Sequence, residues 1–84
     1  MITPTLERII LSTLKESAPH LVPEGTLFTE VNVASATPVS TGLLRQALVD
    51  LSKRNQITNV DTDDGTKYRI APEGQARLVE GNCW

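Results

Sequence analysis

The stretch Pro38–Leu78, PVSTGLLRQALVDLSKRNQITNVDTDDGTKYRIAPEGQARL, decides the fold. Ser40 is placed to cap a helix, and Leu44, Ala47, Leu48 and Leu51 recur at i, i+3, i+4 and i+7. That spacing predicts an amphipathic helix with one buried stripe, over residues 40–54. Leu43 widens the stripe on one side, and Thr41, Gly42, Arg45, Gln46, Val49 and Lys53 are left outside. Lys53 and Arg54 in the last turn suit the helix dipole, and Asn55 is a left-handed cap. Two β-rich runs follow, residues 57–62 and 66–71, separated by Asp63-Asp64-Gly65. Asp-Gly between such runs predicts a hairpin. With Asp64-Gly65 as a two-residue turn, Asp61 is expected opposite Tyr68, Val60 opposite Arg69 and Asn59 opposite Ile70. Alternation then puts Ile57, Tyr68 and Ile70 on the inner face and Lys67 and Arg69 on the outer one. Pro72 opens a last short helix through Ala76, Leu78 and Val79, and Gly81 stops it. Residues 82–84 form a tail, with Trp84 expected to pack back on the domain.

Upstream, Thr3 caps and Pro4 starts a first helix, whose apolar stripe is Leu6, Ile9, Ile10, Thr13 and Leu14. Glu7, Arg8, Ser12, Lys15 and Glu16 fall mostly on its other face, and Pro19 ends it. Leu21-Val22 is either a minimal strand or a packed loop. Thr26 is expected to cap a second helix that buries Leu27, Val31 and Ala34, with Thr29 and Glu30 outward. Residues 36–39 make a turn into the third helix. The order helix, helix, helix, hairpin, helix defines a mainly α fold with a small β-hairpin. It is a winged helix-turn-helix with a three-helix core, a two-stranded wing and a short closing helix. The expected organisation is one domain over residues 1–84.

From Pro38 to Leu78 the sequence resembles the winged-helix segment of bacterial MarR- and PadR-like transcription regulators. Ser40-Thr41 starts the recognition helix, Leu48 and Leu51 anchor it, Ile57 begins the wing and Asp64-Gly65 lies at its tip. Tyr68-Arg69-Ile70-Ala71-Pro72-Glu73-Gly74 stands where those regulators have a "Y-x-L-T-x-E-G" step into the next helix. Asn55 replaces their usual glycine, and Ala71 replaces a threonine that caps. The wing tip is acidic rather than basic, and the long dimerising helices are missing. A stand-alone or accessory winged helix fits these departures better than full membership. The resemblance implies the fold more strongly than the job, because winged helices also bind proteins.

Composition narrows the job. The 84 residues carry a net charge of −2, so bulk charge does not mark a strongly basic nucleic-acid binder. Five of the eight cations (Arg45, Lys53, Arg54, Lys67 and Arg69) nevertheless fall within residues 45–69. The lone Cys83 makes an intrachain disulfide impossible and fits a reducing cytosol, so a cytoplasmic location is expected. The longest apolar run, Ile9-Ile10-Leu11, is far short of a membrane span, and no signal peptide is visible. One histidine and one cysteine, far apart, supply no zinc spacing. The DTDDG run at residues 61–65 has its glycine fifth, where a calcium loop needs it sixth. With no activated nucleophile and no phosphate-binding glycine loop, no enzyme, metal or cofactor is expected.

These features together lead to DNA. The third helix would enter the major groove, with Arg45, Gln46 and Thr41 reading bases. Gly42 would let the backbone approach closely, and Val49 lies on the same face. Ser40, Thr41 and the helix N-terminus would hold a phosphate, and Lys53, Lys67 and Arg69 would add phosphate contacts. The expected role is a small regulator or accessory factor of bacterial or phage type, binding double-stranded DNA, with a weak homodimer as a further partner. The alternative is a protein-binding winged helix using Val49, the acidic wing or the second helix, in which case the outward face of the third helix is simply solvated.

Overall fold

The computed structural model describes residues 4–18, 20–35 and 38–80. The chain runs α1 (Pro4–Ser17), β1 (Val22–Pro23), α2 (Glu24–Ala34), α3 (Thr41–Lys53), β2 (Ile57–Thr62), β3 (Gly65–Ile70) and α4 (Pro72–Glu80). The expected Thr3 cap, the Pro19 stop, part of the turn before α3, the Gly81 stop and the packing of Trp84 lie outside the described residues. Among the described residues, no helix is long and apolar enough to cross a membrane.

The core is aliphatic. Ile10, Leu11 and Leu14 of α1 join Leu27 and Val31 of α2 and Leu44, Leu48 and Leu51 of α3 in one cluster, all essentially without exposure. Val22, Ile57 and Ile70 close the sheet side of the same cluster. Full burial of each such side chain contributes about 1.5–3 kcal/mol, so the helix stripes dominate the stability of a chain this short.

Two details of α1 differ from the periodic reading. Leu11 is fully buried, and Glu7, expected on the outer face, is only 4% exposed. The buried face of α1 is therefore rotated and includes residues 7, 11 and 14, again at i, i+4 and i+7. A charged residue on such a stripe needs partners, and two arginines supply them, as described below.

The helix-turn-helix is set by α2, the turn and α3. The α2 helix begins at Glu24 rather than after Thr26, and its N-cap Pro23 makes no side-chain cap hydrogen bond. Pro23 has φ −62° and ψ 150°, the extended backbone of β1, so the helix starts directly where the strand ends. Leu27 and Val31 are buried as expected, but Ala34 is exposed, because the last turn of α2 runs past the core. Asn32 then ties the turn: its Nδ2 donates to Phe28 O at 2.9 Å and to Val39 O at 3.3 Å, and Val39 N donates to its Oδ1 at 2.7 Å. Ser40 caps α3 by accepting from Leu43 N at 3.1 Å. At the other end Gln56 N donates to Leu51 O and Asn55 N to Ser52 O, both at 3.0 Å. Asn55 has φ 61°, so the helix closes in a Schellman motif with asparagine in the left-handed position.

The sheet has three antiparallel strands in the order β1-β3-β2, so the Leu21-Val22 segment resolves as a strand at Val22–Pro23. Proline suits this edge because its missing N–H costs no ladder bond on the solvent side. The hairpin register differs from expectation by two residues: Asn59 pairs with Tyr68, Val60 with Lys67 and Asp61 with Thr66. The turn is Asp63-Asp64, and only Gly65, at φ 118°, takes a positive φ there. The one positive φ in the hairpin loop thus falls on the glycine that follows the two turn residues, rather than on both members of an Asp64-Gly65 pair. A shift of two preserves strand parity, so the inner and outer faces remain as read.

Finally, α4 packs against the loop after α3. Ala71 N donates to Gln56 O at 3.0 Å. A Cβ on Gly74 would sit 2.2 Å from that same oxygen and 3.0 Å from Ile70 Cγ1. The glycine of the Pro72-Glu73-Gly74 step is thus required by the close approach of α4 to backbone.

Candidate nucleic-acid interface

The capped start of α3 and the burial of its Leu44, Ala47, Leu48 and Leu51 stripe force the remaining positions outward. Thr41, Gly42, Arg45, Gln46, Val49 and Lys53 are all exposed, so the structure brings these six expected residues onto one face. Nothing lies within 4 Å of a Cβ built on Gly42, so the backbone there is open to a large partner. Val49 is 54% exposed, an apolar side chain left in solvent beside charged neighbours. Arg45, Gln46, Val49, Asp50 and Lys53 line a shallow depression along the helix. Ser40, at the head of the helix, already uses its hydroxyl oxygen as acceptor for Leu43 N, which leaves its O–H to donate elsewhere.

The wing meets this face through its inner side. Tyr68 and Asn59, paired across β3 and β2, border a second hollow with Leu48, Val49, Ser52 and Lys53. Ser52 Oγ and Asn59 Oδ1 are 3.1 Å apart, with the hydroxyl donating, and this bond fixes the strand beside the helix. Burial pushes the Tyr68 phenol above its ordinary range, with the Glu24 charge acting in the same direction.

Lys67 and Arg69 alternate with Tyr68 and so lie on the other side of the sheet. Arg69 is exposed and borders a groove with Ala18, Thr58, Pro72 and Gln75, at the meeting of α1, β3 and α4. The structure therefore divides the expected cations into a helix group, Arg45 and Lys53, and a sheet group, Lys67 and Arg69.

Ion pairs shape the charge around the helix. Arg45 Nε donates to Glu24 Oε1 at 2.6 Å, joining α3 to the first turn of α2. Glu24 holds the guanidinium even more firmly protonated than usual, by hydrogen bond first and by charge second. Arg54 pairs with Asp50 one helical turn back and also donates to Glu7 Oε2 at 2.6 Å. Arg77 of α4 reaches Glu7 Oε1 at 3.0 Å and donates to Gln56 Oε1 at 2.8 Å. Glu7 is thus satisfied by two arginines from separate elements, which removes Arg54 from the cations free for a ligand. Only Asp50 with Arg54 has a sequence signal, the i, i+4 spacing. The other pairs join residues far apart in the chain, and sequence reasoning misses them. Lys53 makes no ion pair among the described residues.

A capped third helix set against a tied turn, followed by an antiparallel hairpin packed beside it, defines the winged helix-turn-helix class. Solved structures similar to this chain include a member of that class. F93 from STIV, a winged-helix DNA-binding protein, superimposes with a TM-score of 0.82 at 18% identity, over 95% of this chain and 86% of its own. RosR of H. salinarum gives 0.80 at 20% identity, over 95% and 70%. A PadR family transcription regulator from Clostridium difficile R20291 gives 0.74 at 18%, over 90% and 81%. The likeness to a PadR regulator meets the resemblance read from residues 38–78 at the level of the fold. No family model matches the sequence, and no curated protein matches it.

Proposed function

We propose that this chain is a small DNA-binding protein, a transcription regulator or accessory factor of bacterial or phage type, which places α3 in the major groove. The observation that carries the reading is the unobstructed face of Thr41, Gly42, Arg45, Gln46, Val49 and Lys53 on a capped helix. Arg45 and Gln46 read base edges, with each good bidentate contact worth about 1–3 kcal/mol of discrimination. Thr41 adds a shorter contact, and Val49 suits a thymine methyl. Ser40 and the helix N-terminus hold one phosphate, and Lys53 holds another. Lys67 and Arg69, on the far side of the sheet, reach phosphates only where the duplex passes around the wing. The fold shared with F93, a winged-helix DNA-binding protein, supports this reading.

Fluorescence titration of random duplex with the full chain at two salt concentrations tests it. Binding at low salt that weakens steeply as salt rises is the expected result. Absence of binding at low salt, or binding indifferent to salt, rejects it in favour of a protein-binding winged helix. The acidic wing tip, with Asp61, Asp63 and Asp64 all exposed, is the observation behind that second reading.

A further inference from the structure

The Glu24–Arg45 pair has a geometry that bears on how the helix discriminates between sequences, given the DNA-binding reading above. Glu24 occupies Nε of Arg45, at 2.6 Å, and neither Nη nitrogen makes a hydrogen bond among the described residues. The guanidinium is planar and presents its N–H groups in a fixed fork. With Nε held by Glu24, the two Nη nitrogens form the edge that is left for a partner, and that edge matches O6 and N7 of guanine. The Arg45 side chain is 66% exposed, whereas Glu24 is 27% exposed, so the carboxylate is the more fixed member and the arginine the presented one. Glu24 also sits in the first turn of α2, where the helix dipole favours its negative charge.

The charge balance points the same way. A carboxylate beside a surface that approaches phosphates lowers affinity for any duplex. It returns something only if it restrains Arg45 in the geometry that one base rewards. We infer that Glu24 is a positioning residue for Arg45: it holds Nε so that the Nη edge faces a guanine, and it trades general affinity for selectivity at that base pair. The contact is absent from any reading of α3 alone, since the two residues are 21 positions apart and on different helices.

The test is selection by the full chain from a pool of duplexes randomised over one helical turn, followed by titration of the selected site and of the unselected pool. The unaltered protein should enrich guanine at one position of the site. Glu24→Ala should lower the guanine preference at that position roughly tenfold, leave the other positions unchanged and bind the unselected pool more tightly. Glu24→Gln, which keeps an acceptor but no charge, should fall between, and it carries the comparison if Glu24→Ala fails to fold by circular dichroism. In an Arg45→Ala background, Glu24→Ala should change nothing at that position. An unchanged guanine preference in both Glu24 variants overturns the inference. So does an equal change at every position, or the same change in the Arg45→Ala background. Duplex binding without enrichment of any base overturns it while leaving DNA binding intact, and no duplex binding at low salt overturns both.

Discussion

The Glu7 carboxylate of α1 accepts a hydrogen bond from Arg54 Nη2 at 2.6 Å, across 47 positions of sequence. Arg77 binds the same carboxylate from α4, so one buried side chain clamps α1, the end of α3 and α4 together. Removing it leaves Arg77, whose side chain is only 12% exposed, without that charge partner. Glu7→Ala is expected to destabilise the fold by about 1–3 kcal/mol. Urea unfolding with circular dichroism checks this; a change within about 0.5 kcal/mol, the usual range for surface substitutions, would show the clamp to be dispensable.

The described glycines separate into one tight site, Gly74, and open ones. Gly74→Ala drives a Cβ toward Gln56 O, so a loss of about 1–3 kcal/mol is expected, even after the better helix propensity of alanine is counted. Thermal melting should show a clear drop in midpoint for this variant. An unchanged midpoint would mean that α4 can move off the Gln56 loop at little cost.

Gly42→Ala should do the opposite to stability and harm binding. Apart from its own helix turn, nothing lies within 4 Å of the new methyl group, and alanine is the better helix former, gaining at this first-turn position less than the roughly 1 kcal/mol of a helix interior. On the DNA-binding reading proposed above, the same methyl would stand where the helix backbone approaches the groove. The expected outcome is a higher melting midpoint together with weaker duplex binding. Equal binding by the variant would show that the helix does not come close to its partner at Gly42.

Asn32→Ala should loosen the helix-turn-helix itself. It removes the Val39 N–H partner and two donated bonds, at a cost of about 1–2 kcal/mol. Hydrogen exchange at Val39 checks it most directly. Protection there should fall in the variant by more than the global loss of stability accounts for.

Acid should act through Asp50. Arg54 holds the Asp50 carboxyl below the ordinary aspartate range, by hydrogen bond first. A carboxyl whose folded pKa is depressed stabilises the fold above its unfolded value, about 3.9, and that stability is lost as pH falls through the folded value. The side chain is 40% exposed, so solvent screens the pair and the effect is small. Asp50→Asn should flatten the decline in melting midpoint below about pH 4. An identical acid limb in both proteins would place the decline elsewhere.

Much of the architecture follows from short-range chemistry. The α3 stripe, its Ser40 and Asn55 ends, the two β-runs and the faces of β3 depend on residues a few positions apart, and local spacing reports them. The outward set on α3 is legible for the same reason, since a stripe that must be buried leaves a complementary stripe outside. Register is harder: aspartate and glycine both favour turns, and only the φ demanded at each position separates Asp63-Asp64 from Asp64-Gly65. The start of α2 is obscured because Pro23 ends a strand and begins a helix without any capping side chain.

The order of elements and the exposed face of α3 are thus written along the chain, because both obey the period of a helix or a strand. Which charges remain available on that face emerges only once the helices and the sheet are packed together. Glu7, placed on an outer face by periodicity, is buried and pairs with Arg54 from the end of α3, while Arg45 is restrained by Glu24 and the sheet cations turn away from α3. Electrostatic partnership depends on separation in space, and no periodicity along the chain encodes a contact between residues 7 and 54 or 24 and 45.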